Sequence, residues 1–82
     1  MPIFYFDLRD GERFKVDKQG TTLTGIEEAR DLATLRLAEM AREVLPGPVR
    51  RRLAIEVRSE TKETVLVVAL MFETARPQQS AA

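Results

Sequence analysis

The sequence predicts an α+β domain of order β-β-α-β-β, in which a four-stranded, mainly antiparallel sheet carries one helix packed on one face. Three observations predict it. Residues 24–45 place apolar side chains at helical spacing. Short strand-like runs flank that segment, two on each side. Turn residues separate the runs. Residues 1–73 are assigned to a single domain and residues 74–82, small and polar, to a flexible C-terminal tail.

Residues 3–8 are aromatic and branched and read as the first strand, with Phe4, Phe6 and Leu8 on one face and Ile3, Tyr5 and Asp7 on the other. Asp10-Gly11 marks a hairpin. A three-residue loop, Arg9-Asp10-Gly11, with Gly11 in the left-handed position, pairs Phe6 with Phe14, Phe4 with Val16 and Asp7 with Arg13. That register is expected because it makes one face apolar. Residues 17–22 form a polar turn in which Gly20 supplies a positive φ.

The helix opens on Thr24-Gly25-Ile26-Glu27, a capping-box pattern. Ile26, Ala29, Ala33, Leu37, Met40 and Val44 fall on one stripe, while Leu32 lies on its flank and Leu35 nearly opposite. Pro46-Gly47-Pro48 stops it. Residues 53–58 alternate as a third strand, with Leu53, Ile55 and Val57 inward and Ala54, Glu56 and Arg58 outward. Residues 59–63 are a polar loop. Residues 64–72 form a fourth strand that is apolar on both faces. That strand and the first are expected at the centre of the sheet, with the charged second and third strands at its edges.

Composition narrows the function. Thirteen basic and thirteen acidic side chains give no net charge, which argues against a dedicated nucleic-acid binder. There is no cysteine and no histidine, so thiolate chemistry and the commonest general base and metal ligand are absent. Glycines are scattered, so no phosphate-cradling loop forms. No enzyme activity, cofactor or metal is expected. No run reaches membrane-span length and no leader is evident at the start, so a cytoplasmic protein without membrane contact is expected.

The residues also carry a resemblance. Tyr5-Phe6-Asp7-Leu8-Arg9-Asp10-Gly11, then Asp17, Gly20, Leu23, Glu28-Ala29-Arg30 and Ala33, then Ile55-Glu56-Val57-Arg58 follow the pattern Y-F-x-x-R-D-G, D-x-x-G, Ala-rich helix, I-E-V. In this the chain resembles a family of small proteins abundant in rhizobia and related alphaproteobacteria, known as a domain of unknown function (DUF6894-like). The resemblance implies a fold and a bacterial origin, and no activity. The chain departs from the family at its second hairpin, where Ser59-Glu60-Thr61-Lys62-Glu63 replaces a common Asp-Gly. A fainter similarity is to antitoxin domains of the HicB type.

Two surfaces are candidates for function. One helix covers only one sheet face, so the doubly apolar fourth strand leaves a second face needing cover. The candidate interface is therefore Tyr5, Val65, Val67 and Met71, with Leu32 and Leu35 on the helix as second choice. It predicts a homodimeric protein-interaction or regulatory module, with a further protein partner unidentified. The alternative is a nucleic-acid-associated regulator of antitoxin type that neutralises phosphates with Arg50, Arg51, Arg52 and Arg58.

Overall fold

The computed structural model describes residues 1–77. Its elements are β1 (Ile3–Asp10), β2 (Arg13–Lys15), β3 (Thr21–Thr22), α1 (Ile26–Val44), β4 (Arg50–Arg58) and β5 (Thr64–Glu73). The α+β class holds, with one helix on an antiparallel sheet of five strands in the order β2-β1-β4-β5. The additional strand, β3, lies within the segment expected as a turn. It pairs with β1 on the same side as β2, so β2 and β3 form one edge interrupted at residues 16–20.

The hairpin register differs from the expected one. Asp10 faces Arg13, Arg9 faces Phe14 and Leu8 faces Lys15, so the loop is Gly11-Glu12. Gly11, at φ 61°, takes the first loop position, where a type II′ turn requires a positive φ. Apolar pairing did not decide the register, because the Arg9 guanidinium lies 4.3 Å from the Phe14 ring centroid and covers it. The bulged geometry expected here occurs in the second hairpin instead. There Lys62 N–H donates to the Ser59 carbonyl at 3.0 Å, and Lys62 holds φ 72° without being glycine.

Strand order is also corrected. β4 is central and β5 is the edge, the reverse of the expectation. Charge on β4 did not signal an edge because it is matched across the strand pair. Arg58 meets Asp7, Glu56 meets Arg9 and Arg51 meets Asp10, all three acceptors or donors lying on β1.

The helix begins one residue later than expected, with Gly25 rather than Thr24 as its N-cap and no side-chain cap bond. Glu28, three residues on, accepts both the Thr24 N–H at 2.7 Å and the Thr24 hydroxyl at 2.9 Å. The carboxylate that reaches back is thus Glu28 rather than Glu27, and both bonds are donated by Thr24, so the expected reciprocal capping box does not form. The helix stops at Val44, with the Leu45 N–H still bonded to the Ala41 carbonyl. Ala29, Ala33 and Leu37 are buried against Phe4, Phe6, Leu53, Ile55 and Val57; Met40, Val44 and Leu32 pack around them, while Ile26 is exposed. The small side chains at 29 and 33 let the helix sit close to the sheet. The C-terminal tail expected over residues 74–82 lies partly outside the described residues. Thr74 itself is tied down, its N–H donating to the Val49 carbonyl at 2.9 Å.

Candidate interaction surface

The sheet face away from the helix has two unlike halves. The half formed by β1 and β4 is polar and internally paired. Asp7, only 2% exposed, accepts from Arg58 Nε at 2.6 Å and Nη2 at 3.2 Å, and from the Asp17 N–H at 2.9 Å. Arg58 also donates to the Asp17 carbonyl at 2.9 Å and stands 4.9 Å over the Tyr5 ring. The bond to Asp7 holds the Arg58 guanidinium above its ordinary range.

Asp17 fills the gap between β2 and β3. Its carboxylate accepts the Phe6 N–H at 3.0 Å, replacing the missing strand partner, and the Gln19 and Gly20 N–H groups as an Asx turn. Burial is the largest influence on this carboxyl and pushes it up. The three backbone donors and Arg36 together outweigh it and hold the group below the usual carboxylate range. Gly20 is required at φ 75°, since a Cβ there would lie 2.7 Å from Ile3 Cγ2. Asp-x-x-Gly is therefore structural in this chain. Asp7 and Asp17 do converge, but Arg58 and backbone N–H groups occupy the space between them. Among the described residues no group of three His, Cys, Asp or Glu is placed to hold a metal ion.

The arginine cluster is divided. Arg51 pairs with Asp10 through Nε at 3.0 Å, Arg50 with Glu73 at 2.7 Å, and Arg58 with Asp7. The Arg51 bond in turn holds the Asp10 carboxyl below its usual range. Arg51 also follows Leu53 and Ile55 in register and so leaves the face that carries Arg50, Arg52 and Arg58. Among the described residues Arg52 is the member of the cluster with no ion pair.

The other half of the outer face belongs to β5. Its register with β4 sets Leu66, Val68, Leu70 and Phe72 on the helix side and Val67, Ala69 and Met71 outward. The β-bulge falls between Val57 and Arg58, opposite Val65. Residues 65–72 are all apolar, and none of the eight is buried. Val67 is 51% and Met71 57% exposed. Tyr5 does not join them, since it lies on β1 under Arg58 with β4 between. Leu35, 65% exposed, and Leu32, packed on the core, belong to the helix layer rather than to this face.

An open trough of about 1030 Å³ runs between the later half of α1 and residues 15–21. Its lining balances Lys15, Lys18 and Arg36 against Asp17, Glu39 and Glu43, and also includes Phe6, Leu8 and Met40. Arg36 lies 4.8 Å over the Phe6 ring and covers part of that lining. It presents no convergent set of polar groups of the kind that orients a small ligand.

The family described as Domain of unknown function (DUF6894) matches residues 3–71. The chain belongs to the DUF6894 family. The matched span takes in both hairpins, α1 and β5 as far as Met71. No curated protein and no solved structure matches the chain. No described helix is long and apolar enough to cross a membrane.

Proposed function

We propose that this DUF6894 chain is a non-catalytic interaction module that works as a homodimer, with β5 as its contact element. The carrying observation is the run of eight apolar residues on β5, of which Val65, Val67, Ala69, Leu70 and Met71 are left exposed by the described residues. Contiguous exposed apolar surface of this kind marks an interaction site. A small domain also has little core to spare, so burying this strand against a partner supplements its stability. Asp7, Arg9, Glu56 and Arg58 on the outer face are paired with one another, which supports the non-catalytic reading. The nucleic-acid alternative has weaker support, because Arg50, Arg51 and Arg58 already hold carboxylates. Sedimentation equilibrium tests the proposal. Reversible dimers at micromolar concentration are expected, and a chain that stays monomeric at several hundred micromolar overturns it.

A further inference from the structure

We infer that two copies of this chain join edge to edge, β5 antiparallel to β5, so that their sheets become one continuous sheet. This rests on the homodimer reading and specifies its geometry. Among the described residues two edges of the sheet are open, and they differ. The β2/β3 edge is short, interrupted, and carries Arg13 and Lys15, and its gap is plugged by Asp17. Those are the features that discourage stray strand pairing. β5 has none of them. It is ten residues long, about 33 Å at ~3.3 Å per residue, with no proline and no charge from Thr64 to Phe72. Its outer N–H and C=O groups form a ready template for another strand.

Face-to-face packing of the outer faces is the competing geometry. It would press the half-buried Arg9, Glu56 and Arg58 of two copies together and strip them of water, which costs more than the apolar strip returns. Edge pairing leaves those groups where they are. It also shields the open flank of β5, where Val67, Leu70 and Met71 are exposed.

A second copy fits the strand better than a strand of unrelated chemistry. Antiparallel pairing centred on Val68 sets Leu66 against Leu70 and Val67 against Ala69, with like faces together and no charge opposed from Thr64 to Phe72; like charges, Glu73 and Glu63, meet only at the two ends. The projected edge is modest, roughly 330 Å² per copy for a strip ~33 Å long and ~10 Å thick. That is well under the ~800 Å² per partner of a standard interface, so the dimer is weak and reversible.

Residue-resolved amide exchange across a concentration series, run beside sedimentation, tests this. In the free chain, alternate β5 amides point away from β4 and exchange fast. Edge pairing is expected to slow those outward amides roughly five-fold or more as the dimer fills. A dimer by sedimentation whose outward β5 amides stay fast overturns edge pairing and leaves the homodimer standing. A monomer at several hundred micromolar overturns both.

Discussion

Removing the Asp7 carboxylate isolates what the polar half of the outer face contributes. Asp7→Ala strands Arg58, whose side chain is only 21% exposed and keeps just the Asp17 carbonyl as acceptor. It also orphans the Asp17 N–H. Breaking a buried pair from one side costs about 3–5 kcal/mol. Arg58 can turn partly to water, which argues for the low end, while an unsatisfied N–H adds about 1 kcal/mol. The expected loss is thus ~4 kcal/mol against a total of roughly 4–12 kcal/mol for a chain of this length. Urea unfolding followed by circular dichroism should show a large fall in midpoint at unchanged slope. Glu73→Ala is the matched control. It breaks Arg50–Glu73, whose side chains are 73% and 52% exposed, and a pair so exposed is worth about 0–1 kcal/mol. The double variant Asp7→Leu/Arg58→Met should recover most of the loss, because the cost lies in an uncompensated charge rather than in missing attraction. An Asp7→Ala protein within 1 kcal/mol of the wild type, or no worse than Glu73→Ala, refutes this account.

Three further substitutions probe the turns and the acid limb. Gly20→Ala combines a left-handed φ with a Cβ 2.7 Å from Ile3 Cγ2 and 2.8 Å from Tyr5 Cε2. The strain of about 1–2 kcal/mol and the overpacking of about 1–3 kcal/mol should lower the urea midpoint well beyond error. Lys62→Gly relieves the left-handed strain at Lys62 and should stabilise by about 0.5–1 kcal/mol after glycine's entropic cost; a lower thermal midpoint would contradict it. Asp10 and Asp17 are both held below the ordinary carboxylate range, so the unfolded chain takes up their protons at higher pH than the folded one. Their stabilisation is complete above about pH 4 and is lost as pH falls through the lowered folded values. Asp17→Asn should flatten that acid slope, and an unaltered slope in pH-dependent unfolding would count against the role given to its backbone donors.

The helix was legible because Ala29, Ala33 and Leu37 repeat at a spacing only a helix brings to one side. The inward face of β4 was legible for the matching reason, period two in Leu53, Ile55 and Val57. Register was not. An apolar face is one way to satisfy a strand pair, and an arginine lying on Phe14 is another that leaves no mark in hydrophobic pattern. Strand order failed likewise, since a charged strand sits at the centre when its neighbour supplies counter-charges, and pairing partners 40 or 50 residues apart are invisible to local reading. The role of Asp17 did have a local signal. Asp three residues before a glycine is Asx-turn chemistry, and it could have predicted the bond that stitches residue 17 to Gly20. The exposed apolar strand was read correctly in composition and wrongly in place. At the centre of the sheet its second face would have been the anomaly; at the edge, its backbone is open as well.

Stability and association are linked if β5 pairs with its copy, and the linkage has a measurable form. A partner that binds the folded chain and not the unfolded one stabilises by mass action. For a dimer that unfolds to two free chains, a tenfold rise in protein concentration adds about 1.4 kcal/mol per mole of dimer. The urea midpoint of the wild type should therefore climb with concentration once the dimer is populated, and be flat below that range. Val67→Lys places a charge in the middle of the outward β5 strip, 51% exposed and so tolerated by the isolated fold. It should abolish the climb while leaving the dilute-limit midpoint within about 0.5 kcal/mol of the wild type, as exposed substitutions usually do. A climb that survives Val67→Lys would place the contact elsewhere on the molecule. A wild-type midpoint flat from low to several hundred micromolar would mean that β5 stands open in solution as it does in the single chain.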